Sequence, residues 1–183
     1  MFKLPFFSFG KEKESASTNE SSSSTLILGL GNPGQKYEQT YHNAGHLYVE
    51  SLAETSFKRY KSFSFAKRDN LVLAKSLTFM NQSGLAARGA LRYFNLKPEN
   101  LIVAHDDSDL PLGEYKITKG QGSAGHKGVQ SVIDHLKSKE FTRLRIGIRG
   151  QARGKAREFV LKPMSKKELE NLQEAFRQIS LPV

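Results

Sequence analysis

A histidine, a carboxylate and two carboxamides are the side chains of this sequence best placed to do chemistry together. Asn32 lies in the glycine-rich turn of LILGLGNPGQKYEQTYHNAG, residues 26–45, and His42 follows it where a helix is expected to begin. Asn81 comes after the apolar run Leu71 to Ala74, and Asp106 sits in the string HDDSD that follows Leu101 to Ala104. A neutral imidazole accepts a proton, and a carboxylate on its opposite ring nitrogen fixes the tautomer and stabilises the imidazolium that forms. The positive end of a helix helps to hold such a ring neutral. No nucleophilic side chain completes the group, so water is the expected attacking species. Each residue also has a plain structural reading: His42 as a helix-start residue bonded to a loop, Asn81 as a helix cap, HDDSD as turn chemistry.

Other chemistries fit the spacing less well. Gly29, Gly31 and Gly34 match G-x-G-x-x-G after a strand, but Pro33 interrupts the pattern and no acid follows a second strand where a ribose would need it. A tight strand-to-helix turn accounts for these glycines without a nucleotide. His42 and His46 are four apart, yet Asn43 stands where a zinc protease carries its glutamate, so metal ligation is not expected there. HDDSD remains open as a magnesium or calcium site. The chain has no cysteine, which removes disulfides, thiol nucleophiles and cysteine-ligated metals.

These residues need a scaffold that brings separate segments to one rim. Short β-rich runs at Leu26 to Leu30, Leu71 to Ala74, Leu101 to Ala104 and Leu144 to Ile148 alternate with stretches of helical spacing. That alternation predicts an α/β fold: a single domain with a mixed, mostly parallel twisted sheet flanked by helices. Thr40 is the expected N-cap of a first helix with Val49, Leu52, Ala53 and Phe57 on its apolar face. A second helix is expected from Asn81 or Ser83 to Phe94, and a third after Gly128. Ser165 and Glu168 form a capping box ahead of the last. In a parallel sheet Asn32, His42, Asn81 and Asp106 all fall at carboxyl ends of strands, flanked by the basic loop Lys119 to Lys127 and by Arg143, Arg145 and Arg149.

The 183 residues carry 28 Lys+Arg against 18 Asp+Glu, a formal charge of +10 that favours a polyanionic partner, nucleic acid first. No apolar run reaches the roughly 20 residues of a membrane-spanning helix, so no membrane partner is expected. Residues 1–24 change composition sharply before the fold and read as a tail or linker. Lys3, Lys11 and several Phe without an early acid are compatible with an organelle transit peptide, whereas Glu12, Glu14 and Glu20 speak for an unaddressed tail.

Taken in order, GLGNPGQKYEQTYHNAG, TFMNQSG, AHDDSDLPLG, GSAGHKG and FTRLRIGI resemble the blocks of the bacterial-type peptidyl-tRNA hydrolases, from about Leu26 onward. The resemblance implies a monomeric enzyme with no cofactor, no metal and no obligate protein partner. Its expected substrate is peptidyl-tRNA, bound by the acceptor stem and 3′ end and cleaved at the ester so that the tRNA is recycled. It implies His42 and Asp106 as catalytic residues, Asn32 and Asn81 as peptide-holding amides and Tyr37 near the acceptor end. Arg145, with Lys116 or Lys119, is implied to grip tRNA phosphates. Lys127 stands where the family usually has an asparagine near the catalytic histidine, and is expected at the substrate. The family also has organelle relatives that serve RNA splicing without hydrolysis, so a non-catalytic RNA-binding protein on this scaffold is the alternative. A serine-rich extension suits a mitochondrial form; a cytoplasmic one stays open.

Overall fold

The computed structural model describes residues 24–150 and 154–182; the N-terminal segment read as a tail or targeting sequence lies outside the described residues apart from Ser24. Seven strands form one sheet: β1 (Thr25–Gly29), β2 (Lys58–Tyr60), β3 (Phe63–Arg68), β4 (Leu71–Ser76), β5 (Leu101–Pro111), β6 (Tyr115–Lys119) and β7 (Thr142–Arg149). Their order across the sheet is β2-β3-β4-β1-β5-β7-β6. The four central strands run parallel, while β2, β3 and β6 are antiparallel additions at the two edges. Helices α1 (Ala44–Leu52) and α5 (Lys166–Gln178) cover one face, and α2 (Ser83–Tyr93) and α3 (Lys127–Leu136) the other; α4 (Ala156–Phe159) is a single turn.

Strand β1 reads as a continuous apolar run because both of its faces are buried. Leu26 and Leu28 point into the core shared with α2 and α3, whereas Ile27 points into the core shared with α1 and α5. Helix α1 lies unusually close to the sheet. A Cβ on Gly45 would meet the carbonyl oxygen of Ala104, and one on Gly29 would meet the backbone of Gly45. The glycines of the first turn therefore serve close helix-on-strand packing, which any side chain would prevent.

Two expectations need correction. The first helix does not start after Thr40, whose hydroxyl donates to the Tyr37 carbonyl oxygen instead of capping; a 3-10 turn at Tyr41–Asn43 intervenes and α1 begins at Ala44. Nor does it reach Phe57: it ends at Leu52, and Ala53 is extended. Ala53 and Phe57 still pack against the same core, so the apolar spacing marked burial correctly and helix wrongly. The HDDSD string does not follow the third run but lies within β5, which continues to Pro111. The second helix, and the last with its capping box, stand where the sequence puts them, and the third begins at Lys127, two residues before Val129.

Candidate active site

The short turn that carries His42 is fastened from two directions. Asn43 accepts a hydrogen bond at Oδ1 from the backbone N–H of Asn32 (2.8 Å) and donates through Nδ2 to the Asn32 carbonyl (3.0 Å), locking the glycine turn onto the histidine turn. From the far side, the His42 N–H donates to the Val160 carbonyl (2.8 Å) and the Tyr41 N–H to that of Lys162. The Tyr41 hydroxyl donates to Glu168 of α5 at 2.7 Å. A residue whose own backbone is tied down at both ends leaves its imidazole little freedom to wander.

Asp106 faces it from β5, a strand bonded on both edges by β1 and β7. Its carboxylate is 3% exposed, and one oxygen, Oδ1, receives both His42 Nδ1 (2.8 Å) and His126 Nε2 (2.9 Å). The tautomer of His126 follows from its other nitrogen. As the N-cap of α3, its Nδ1 accepts from the N–H groups of Gly128 and Val129, so the ring proton is on Nε2 and is given to Asp106. His42 donates from Nδ1 to a carboxylate that can only accept, so in the neutral ring the lone pair lies on Nε2, and His42 lines the cleft. Burial alone would push the Asp106 carboxyl up, but the electrostatic attraction of the His126 and His42 rings and the hydrogen bonds that both donate outweigh it and hold the carboxyl well below the usual carboxylate range. His105 packs edge-on against His126, its Nδ1 on the Asp106 carbonyl, and burial keeps it neutral.

A cleft of about 510 Å³ opens over this group, lined among others by Asn32, Tyr37, Asn81, Lys127 and Arg145. Asn32 is 7% exposed, and its Oδ1 accepts from the Met80 N–H at 2.9 Å, so its NH₂ is the end left to donate. Asn81 sits on a 3-10 turn that packs against the start of α3, with Gly128 against Met80, so Asn81 and Lys127 line the same side of the cleft. Arg145 is not a free cation: its guanidinium is bonded to Asp107. The pairing of β6 with β7 separates two expected phosphate contacts. Lys116 lies opposite Arg145 and shares its face, whereas Lys119, three residues along the strand, projects to the other. Arg149 is spent on the carbonyls of Ser108 and Gly154.

Several contributors were not singled out by sequence. Phe79, 54% exposed, stands as an apolar wall of the cleft. Its exposure is not legible in TFMNQSG, where it is one apolar residue between a strand and a helix. His126 was visible only as part of GSAGHKG; its signal is a histidine standing where Ser, Thr, Asp or Asn would normally cap a helix. Among the described residues, His42, Asp106 and His126 also offer ligand atoms within 4.8 Å of one another, a set a metal ion can use. The His126 proton fixed by the helix cap already fills one of these gaps, so a metal would have to displace it.

A family model described as peptidyl-tRNA hydrolase matches residues 26–182. The chain is 41% identical over 158 residues to a peptidyl-tRNA hydrolase of Thermodesulfovibrio yellowstonii, covering 81% of this chain and 84% of that protein. It is 38% identical over 151 residues to that of Listeria welshimeri, covering 78% and 82%. Among solved structures, the crystal structure of peptidyl-tRNA hydrolase from Acinetobacter baumannii superposes with a TM-score of 0.75 at 32% identity, over 85% of this chain and 84% of that one.

Proposed function

Because the chain belongs to the peptidyl-tRNA hydrolase family, we propose that it hydrolyses the ester between peptide and tRNA with His42 as general base. Water on His42 Nε2 loses its proton as its oxygen attacks the ester carbonyl. The proton held on His42 is then given to the departing ribose oxygen, so the histidine ends as it began. Asp106 keeps the imidazole in the working tautomer and stabilises its transient charge, and His126 holds Asp106 in place. The Asn32 NH₂ and the Asn81 amide fix the peptide main chain and meet the developing oxyanion. Lys116, Arg145 and Lys127 supply positive charge for the phosphates and terminal ribose, which need gripping rather than reading.

The observation that carries this reading is the 2.8 Å contact of His42 Nδ1 with a buried carboxylate at the floor of a cleft. Its test is hydrolysis of an N-acylated aminoacyl-tRNA by the purified protein, beside the free-amine substrate and His42→Ala. Release that disappears in the variant supports it. Salt-sensitive tRNA binding with no release would leave an RNA-binding protein on this scaffold. The monomeric state belongs to the same reading and is checked by sedimentation. No helix among the described residues is long and apolar enough to cross a membrane. The organelle address rests on the composition of residues 1–23 alone, since the relatives named above are bacterial.

A further inference from the structure

The free edge of the sheet far from the cleft carries aromatic rings and cations that hydrolysis does not use. Tyr60 of β2, Phe65 of β3 and Tyr93 with Phe94 at the end of α2 form one ring cluster. Tyr93 lies 4.4 Å from Tyr60, 5.6 Å from Phe65 and 4.8 Å from Phe94, centroid to centroid. Despite these contacts Tyr93 remains 47% exposed. Three lysines border the rings: Lys61 Nζ is 5.4 Å from the Tyr60 centroid, Lys67 Nζ is 5.7 Å from that of Phe94, and Lys58 shares the face of Tyr60 opposite Phe65. None of the three belongs to an ion pair among the described residues, whereas nearby Arg68 is tied to Glu54.

Lysines on a three-residue edge strand guard it against pairing with another sheet. That role does not call for an exposed tyrosine on the neighbouring helix. Lysines are also depleted from protein interfaces, while cations interleaved with ring faces are what unpaired nucleotides need. The charge complements phosphate and the rings complement bases. Neither these lysines nor Tyr60 and Tyr93 line the cleft, and β2 lies four strand spacings, about 19 Å, from β5, the strand of Asp106.

We propose that the β2–β3 hairpin and the C-terminal end of α2 form a second RNA-binding surface, which stacks unpaired bases on Tyr93 and Tyr60 while Lys58, Lys61 and Lys67 neutralise their phosphates. The surface is independent of the hydrolytic chemistry and adds to the hold on an RNA whose 3′ end occupies the cleft, or binds a separate single strand.

Fluorescence anisotropy of the full chain with an oligouridylate of about ten nucleotides, over a salt series, tests it. Lys58→Ala/Lys61→Ala/Lys67→Ala lowers the slope of log affinity against log salt by about 2, at roughly 0.7 per phosphate contact on single strands. Tyr93→Ala weakens binding about tenfold. In both variants, turnover of a short substrate, an N-acylated amino acid on CCA, stays at the wild-type value. Unchanged slope and affinity in both variants would overturn the proposal and leave the patch to a protein partner or to guarding the edge. Loss of turnover on the short substrate would overturn its separation from the cleft. Loss of oligonucleotide binding in a chain whose wild type hydrolyses neither substrate would support the surface and refute the hydrolase mechanism alone.

Discussion

Replacing Asp106 with asparagine separates what its charge does from what its shape does. Both ring N–H groups arrive at the same carboxylate oxygen, at 2.8 and 2.9 Å. An asparagine can therefore put its amide oxygen there and accept both, with its NH₂ in place of Oδ2. His126 enforces that choice, since its cap on α3 keeps its proton on Nε2. The His42 tautomer survives, and only the negative charge is lost. A unit charge beside the imidazolium is worth about 4 kcal/mol at an effective dielectric of 20. The amide dipole retains part of this, so the barrier rises by about 3 kcal/mol and kcat falls by about 150-fold. KM is expected to stay unchanged because Asp106, 3% exposed, has its accepting oxygen occupied by His42 and His126. Single-turnover hydrolysis of N-acetylated aminoacyl-tRNA measures the loss, with Tm as the control for folding. A fall of about 10⁴, the size expected when an amide strands a catalytic histidine in the wrong tautomer, would refute the shared-oxygen argument. A fall below tenfold would refute the role of the charge.

Three further perturbations probe other parts of the structure. Burial, then the charge of Lys75, pushes His46 down to about 3, so its contribution to stability is full above the unfolded value near 6.5 and is lost as pH falls toward 3. The loss is at most about 1.4 kcal/mol per pH unit, and His46→Gln should flatten the decline of Tm between pH 6.5 and 4; an unaltered decline would exclude it. Tyr41→Phe removes the 2.7 Å bond to Glu168 and should cost about 1 to 2 kcal/mol in urea unfolding. Burial, with Glu168, pushes Tyr41 up to about 12, so its share of stability is full below about pH 10 and lost as pH rises toward 12; the variant should lack that part of the alkaline decline. Lys116→Ala should reduce the salt slope of tRNA binding by about 0.9, while Lys119→Ala, on the other face of β6, leaves it unchanged. Equal effects would contradict the strand pairing.

The parts of the fold legible in sequence are those where one physical signal acts alone. β1 is apolar from Leu26 onward because both faces are buried, and α5 announces itself through Ser165 and Glu168. Strands β2, β3 and β6 are not among the expected runs: KRY and YKITK spend most of their residues on solvent and read as charged loops, while β3, FSFAKR, is largely buried over its first four residues and breaks its apolar pattern with Ser64. His, Asp and Ser at the end of β5 likewise look like a turn, yet they lie in a strand because Asp106 and Asp107 find partners in His42, His126 and Arg145. Asn32, His42 and Asp106 were each visible by type and position. What made them a group, the two-way bond of Asn43 and the cap formed by His126, are contacts between segments that no local spacing encodes. The split between Lys116 and Lys119 also needed the register, because sequence alone cannot say that they lie in one strand.

The clasp on His42 depends on residues made long after it. Its backbone is held by Val160 and Lys162, and the preceding stretch by the link between Gln39 and Met164. While the ribosome is still adding these later residues, the growing chain is itself a peptide esterified to tRNA, the bond its finished form cuts. Over that interval the glycine turn, β5 and the Asn32–Asn43 link can already exist, but the histidine turn lacks the second segment that fastens it. The histidine turn therefore gains its second fastening only after residues 160–164 have been made, more than a hundred residues after His42 itself.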